Sequence, residues 1–260
     1  MWTIGLILLA VLASTPPDAG HAQGHTPAEA AAPVAALEPL RDAGVPTTDR
    51  LKALTRPGTS VGAAAWQAIE GCDRCGAAND LAAILASRPA AEIEPLVPAL
   101  LAALKDESRA VIRAAAARAL VALPTDRRPA EVKDLRETAL TLQCLRGRMA
   151  WEPKELQVLP STLVRLRMEN GDSMVHNLLL TAPGSLSEIG VAADKLGEGL
   201  EGKRRQYVPD STKVMAVMGL VDPGRVGELW FFTPSKPGTY VLVCTYPGHW
   251  RMMNAKLKVK

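Results

Sequence analysis

Histidine is scarce in this 260-residue chain: it occurs only at positions 21, 25, 176 and 249. His21 and His25 sit beside a leader-like N-terminus, so a folded part can draw only on His176 and His249. That excludes chemistry needing a cluster of several imidazoles. Cysteine is equally rare, at 72, 75, 144 and 244. Charge of one sign is also lacking: 30 basic residues face 27 acidic ones for a net of +3, and no arginine-rich block occurs, which excludes an electrostatic case for nucleic acid. No apolar stretch approaches the roughly 20 residues of a membrane span. The first run, Met1 to Ala13, is too short for one and has no Lys or Arg before it.

That run, followed by Ser14, Thr15, Pro16 and Pro17, fits the apolar centre of a secretory signal over 1–22. Cleavage is expected after Gly20-His21-Ala22, with Val11-Leu12-Ala13 as a rival and an uncleaved membrane anchor as the alternative. A periplasmic or secreted location follows. Residues 23–58 are rich in Ala, Pro and Thr without sustained periodicity and read as a flexible tether, apart from a short helix near 48–54.

Over 59–140 Ala and Leu dominate at helical spacing. Helices are predicted near 61–70, 79–87, 92–105, 108–123 and 130–138. Leu96, Val97, Leu100, Leu101 and Leu104 form one stripe, and Ile112, Ala116, Ala117, Ala119, Leu120 and Leu123 form the one facing it. Pro98 in the first helix, Asp106 at its end and the Ile-Arg-x-x-Ala-Ala-x-Ala-Leu pattern from Ile112 to Leu120 resemble a HEAT-type repeat. One clear copy implies a small all-α cap or adaptor, since repeats bury their faces only against neighbours. A plain Ala-rich bundle without a binding role is the other reading.

From 141 to 260 short β-type runs follow one another between Gly, Pro, Asn and Asp. Strands are predicted at 156–158, 163–168, 175–181, 213–217, 226–232, 238–244 and 255–259, with an edge strand near 140–145. This makes an all-β Greek-key sandwich. Ser185-x-x-Glu188 has the form of a capping box, and Ile189, Ala192, Ala193, Leu196 and Leu200 after it are helically spaced, so a helical flap is predicted over 186–202.

The chemistry concentrates in Cys244-Thr-Tyr-Pro-Gly-His249-Trp-Arg-Met-Met253. A thiolate, an imidazole and a thioether arrive from one loop at Cys-x4-His-x3-Met spacing. Two histidines, one cysteine and a distant axial methionine are the donor set of a blue copper site. The second histidine can only be His176, in Asn170-Gly-Asp-Ser-Met-Val-His176-Asn177, 68 residues before Cys244. Met252 adjoins Met253, but neighbours in an extended segment point oppositely, and spacing from His249 selects Met253. Met149, Met168, Met215 and Met218 read as core filler rather than a copper-storage surface. Trp151, Trp230, Phe231 and Phe232 likewise read as core.

These residues resemble the small blue copper proteins of the azurin and auracyanin type, over about residues 145 to 260. The resemblance implies a cupredoxin fold holding one type 1 copper, with His176 and His249 bound through ring nitrogens, Cys244 as thiolate and Met253 as weak axial ligand. It also implies that Asn177 and the Tyr246 amide order the two loops and donate hydrogen bonds near the Cys244 sulfur. Val175 stands where azurins carry a Gly, and the structural disulfide of azurins has no counterpart here.

The histidine count excludes a second, catalytic copper within one chain, so an electron carrier is expected rather than an enzyme. Its partner would be another secreted or membrane-bound redox protein docking near His249, Trp250 and Met252, with Met174 and Pro247 beside them and His249 presenting its ring edge to solvent. The rival reading is a partner-binding helical adaptor with an accessory copper-handling domain. Cys72-Asp-Arg-Cys75 begins like a c-type haem attachment sequence, but Gly76 stands where the axial histidine is needed, which excludes haem. Cys72 and Cys75 can pair with each other, or one can pair with Cys144; either scheme leaves one cysteine unpaired.

Overall fold

The computed structural model describes residues 86–107 and 109–260. The leader, the tether, the helices predicted near 48–54 and 61–70, most of the one near 79–87, and Cys72 and Cys75 lie outside the described residues.

The helical part opens with α1 (Ala90–Ile93), which passes through a 3₁₀ turn (Glu94–Leu96) into α2 (Val97–Lys105). Pro98 occupies the first turn of α2, where its missing N–H has no intrahelical acceptor to lose. Asp106 turns extended and ends the helix. The next helix, α3 (Ala110–Val121), buries Val111, Ile112, Ala114, Ala115, Ala116, Ala117, Ala119 and Leu120, far more than one stripe. Ile112, Ala116 and Leu120 belong to the main core with Leu100, whereas Ala114 and Ala117 pack against Leu163 and Phe232 of the sandwich. The alanines let the helix approach the sheet closely on a face that a solvent-exposed helix would give to polar groups. Arg113 and Arg118 then lie over the rings of Phe232 and Trp230, at 4.3 and 4.2 Å.

The helix predicted over 130–138 is corrected by the structure. Only one turn forms, α4 (Ala130–Lys133), and the chain is already extended in β1 (Glu137–Leu145). The physical reason is pairing: β1 runs parallel to β4 (Leu163–Asn170) from Glu137 opposite Leu163 to Cys144 opposite Asn170, and this ladder overrides the local helical pattern. Nor is β1 an edge strand, because β2 (Ala150–Glu152), absent from the predicted strands, pairs on its other side. The sheet ends with β7 (Val226–Phe232), giving the order β2-β1-β4-β7.

The second sheet has the order β3-β9-β8-β5-β6, built from β3 (Glu155–Val158), β5 (His176–Thr181), β6 (Val214–Val221), β8 (Gly238–Val243) and β9 (Asn254–Val259). The C-terminal part is thus a β-sandwich, as the strand pattern predicts. All six residues of β5 are buried, so the usual in-out alternation is missing. Leu178 and Leu180 face the core between the sheets, while Leu179 packs outward with Ile189, Val214, Val217, Val243 and Trp250 beneath the flap.

That flap is two helices rather than one: α5 (Leu186–Asp194) and α6 (Leu200–Arg204), with the break at Gly197-Glu198-Gly199. Gly197 takes φ +63°, a left-handed conformation that stops a helix at little cost only in glycine. The capping box does not form. Ser185 is itself helical in conformation and its hydroxyl donates to the Ala182 carbonyl at 2.6 Å, while Glu188 pairs with Lys213. Among the described residues no helix is long and apolar enough to cross a membrane.

Candidate metal centre

The sheet register explains why residues distant in sequence meet. Strand β5 pairs antiparallel with β8, Leu179 opposite Val243 and Leu180 opposite Leu242. Continuing that register sets Cys244 opposite Leu178, and His176 two residues further along the same inward face. Strand β9 pairs with β8 so that Leu242 faces Ala255, and the Cys244 amide donates to the Met253 carbonyl at 3.0 Å, continuing the ladder by two residues. Met253 therefore shares the inward face with Cys244 and is fully buried, whereas Met252 points away and is 53% exposed.

The connecting loop is short and bent. Gly248 has φ +80°, and the His249 amide donates to the Tyr246 carbonyl at 3.0 Å. A single 3₁₀ turn, His249–Arg251, closes on the Met253 amide, which reaches the His249 carbonyl at 2.8 Å. This turn brings the His249 ring back over Cys244.

Three ligand atoms converge. His176 Nδ1 lies 3.2 Å from His249 Nδ1, and the Cys244 sulfur lies 3.8 Å from the first and 3.7 Å from the second. All three residues are buried. The centre of this triangle is about 2.1 Å from each atom, within the roughly 2.0–2.3 Å of first-row metal bonds to nitrogen and sulfur. The two imidazoles and the thiolate are thus spaced so that they could hold one metal ion together.

Burial tunes each donor. It pushes the Cys244 thiol up to about 12, against the backbone N–H groups of Tyr246 and Asn177, which hydrogen-bond the sulfur and favour the thiolate. Burial likewise lowers His249 to about 4, with His176 adding to the effect. His176 is lowered by burial too, although Asp172 opposes it. Both imidazoles are therefore neutral near pH 7, with a lone pair for a metal. Metal binding must displace the thiol proton, so affinity rises with pH.

Asn177 ties the two stretches. Its Oδ1 accepts from the Thr245 amide at 2.7 Å, and its Nδ2 donates to the Thr245 hydroxyl and the Gln206 carbonyl, both at 2.8 Å. The ring of Tyr246 is 4.8 Å from that of His249 and 5.0 Å from that of Tyr207.

Two features differ from the sequence expectation. His249 is only 3% exposed and presents almost no ring edge to solvent. Trp250 is turned inward: its Nε1 donates to Asp194 at 2.9 Å, and its ring lies where a Cβ on Gly190 would come within 2.0 Å of it. The exposed apolar surface beside the site is instead Met174 and Met252. Among the described residues Cys144 is a buried free thiol, and Cys72 and Cys75 lie outside them.

Sequence reasoning missed Asp172 and Asp194. Asp172 accepts from His176 Nε2 at 3.1 Å, and Asp194 holds Trp250, the Gly248 amide at 3.5 Å and Arg251 at 3.1 Å. An acidic residue four before the histidine is a signal for the first. Nothing in the spacing points to the second.

A family model described as copper binding proteins, plastocyanin/azurin family, matches residues 138–260. Auracyanin-A of Chloroflexus aurantiacus is 30% identical over 113 residues, covering 43% of this chain and 67% of that protein. Auracyanin-B of the same organism is 28% identical over 104 residues, 39% of this chain, and less than half of that protein is spanned, 43%. Among solved structures, auracyanin A, a blue copper protein of Chloroflexus aurantiacus, is 26% identical, with 48% of this chain and 100% of that chain covered and a TM-score of 0.44. A dithionite-reduced auracyanin from Roseiflexus castenholzii is 23% identical, with 47% and 97% covered and a TM-score of 0.42.

Proposed function

The chain belongs to the plastocyanin/azurin family of copper binding proteins, and from that membership we propose that it is a single-electron carrier, not an enzyme, working outside the cytoplasm with one type 1 copper held by His176, Cys244, His249 and Met253. The observation that carries this reading is the buried triangle of His176, Cys244 and His249, with Met253 on the same inward face. When bound, copper supplies a Cu(I)/Cu(II) couple that a mixed nitrogen and sulfur donor set serves in both states.

The chain's own part is to hold the donors still. His176 and Cys244 sit at the ends of paired strands, and Asn177 links their loops through buried hydrogen bonds. Donors fixed in this way rearrange little when the charge at their centre changes, which favours fast transfer. The pocket also excludes water, since every donor residue is buried.

The partner is a redox protein that docks on the end of the sandwich where Met174 and Met252 are exposed, at 37% and 53%. Unbranched, polarizable methionines suit a surface meeting more than one shape, and a redox encounter buries a small area, less than about 1,200 Å². The location outside the cytoplasm rests on the apolar leader read from the sequence.

Adding Cu(II) to the purified protein tests the reading. An intense blue band that bleaches with ascorbate and returns with an oxidant is expected, together with the small copper hyperfine splitting of such sites in electron paramagnetic resonance. Cys244→Ser should abolish the band while leaving the fold intact by circular dichroism. A band that survives the substitution would refute the ligand assignment.

A further inference from the structure

We propose that Asp172 is a positioning residue for the copper centre: it fixes the tautomer of His176 and places an unpaired negative charge behind that ring, biasing the site toward Cu(II). The inference rests on the copper reading given above.

The geometry is specific. Asp172 Oδ2 lies 3.1 Å from His176 Nε2, the ring nitrogen that faces away from Cys244 and His249. A carboxylate can only accept, so Nε2 must carry the proton and Nδ1 must carry the lone pair directed at the other two ligand atoms. The other oxygen, Oδ1, accepts from the amides of Gly147 at 2.9 Å and Ser173 at 2.7 Å. The Asp172 amide is held in turn by Asn170 Oδ1 at 3.1 Å, and Asn170 Nδ2 is anchored on the carbonyls of Met174 and Val221, both at 2.8 Å. The carboxylate is thereby immobilised by the β1–β2 turn, the end of β4 and the loop into β5.

Charge makes this more than an orienting contact. A backbone carbonyl would suffice to select the Nε2–H tautomer. Asp172 is instead a buried carboxyl whose only ionic partner among the described residues is His176. The ionisable groups around it are His176, the Cys144 thiol on β1 and, across the ligand triangle, His249. Arg146 and Arg148 flank the turn that donates through Gly147, yet both are exposed and neither forms an ion pair with Asp172. A buried anion without a cation is costly, and here what lies in front of it is His176, which would carry a bound metal on its far side. A hydrogen bond from a ligand imidazole to a carboxylate raises the basicity of that ligand. The fixed negative charge also favours the more highly charged metal state over the other.

The test uses the full chain. In the copper-free protein, nitrogen-15 correlation spectra of the His176 ring should show the Nε2–H tautomer. An Nδ1–H ring would overturn the proposal without bearing on whether copper binds. In the copper-loaded protein, Asp172→Asn keeps the side-chain size and removes the charge. The ratio of Cu(II) to Cu(I) affinity should fall at least tenfold, which raises the reduction potential by about 59 mV for a one-electron couple, with the blue band retained. A blue variant with an unchanged potential overturns the proposal and leaves the ligand assignment standing. Should Asp172→Asn fail to fold, the tautomer measurement on the unaltered protein still tests the orienting role, and Asp172→Ser tests the charge through the same rise in potential. Absence of a blue band from the unaltered protein would instead sink the copper reading itself.

Discussion

Asn177 shows how one side chain can couple two stretches that the backbone cannot join. Its amide bridges the Thr245 amide, the Thr245 hydroxyl and the Gln206 carbonyl, all in or beside the buried metal pocket. Asn177→Ala leaves the Thr245 amide without this acceptor, and an unsatisfied buried group costs about 1–3 kcal/mol. The copper-free variant should therefore be less stable by that amount when unfolded in urea. Its blue band should persist, because the backbone N–H of Asn177 that bonds the Cys244 sulfur is kept. At this scale the donors were legible: the Cys-x4-His-x3-Met spacing names Cys244, His249 and Met253, and scarcity leaves only His176. Asp172 was signalled only by its place four residues before His176, and its contact depends on a loop conformation that this spacing does not dictate.

The flap is the element whose role emerges only from its contacts. Helix α5 lies on Trp250, with Gly190 allowing the ring to approach, and ends at Asp194, which holds the ligand loop through Gly248, Trp250 and Arg251. Burial pushes the Asp194 carboxyl up, but the hydrogen bonds from Trp250 and Gly248 and the Arg251 guanidinium outweigh it and leave its pKa below the usual carboxylate value. A depressed carboxyl binds fewer protons folded than unfolded, so the stability it contributes is present above about pH 4 and is lost as pH falls through its folded value. Asp194→Asn should accordingly show a flatter loss of stability than the unaltered protein on acidification below about pH 4, followed by urea unfolding of the copper-free form. Helical spacing predicted the flap itself. Its division into α5 and α6 follows from Gly197 in a left-handed conformation, and the capping box failed because Ser185 bonds backward to Ala182.

In the whole molecule the helices and the sandwich share one continuous apolar core, from Leu100, Ile112 and Leu120 to Leu142, Leu166 and Phe231. Helix α3 also covers Leu163 and Phe232. The described helices are thus packed on the sandwich rather than separate from it. Ile112→Ala, at a fully buried position, should cost about 2–5 kcal/mol. Because the core is shared, the loss should appear in a single unfolding transition, whether followed by far-ultraviolet circular dichroism or by bleaching of the copper band, while the band position stays unchanged.

By itself the sequence determined the ligand types, their local spacing, the change from helical to β-type patterning and the strands near 156–158, 163–168, 226–232 and 255–259. These are properties of neighbouring residues, governed by side-chain chemistry and by periodicities of 3.6 and 2. Tertiary structure decided the rest: the start of β1 at Glu137, the register that sets His176 beside Cys244 across 68 residues, the inward turn of Trp250 and the carboxylate behind His176. Each of these is settled by which strands pair and which faces are buried, and such long-range choices minimise the free energy of the whole chain rather than of any one segment.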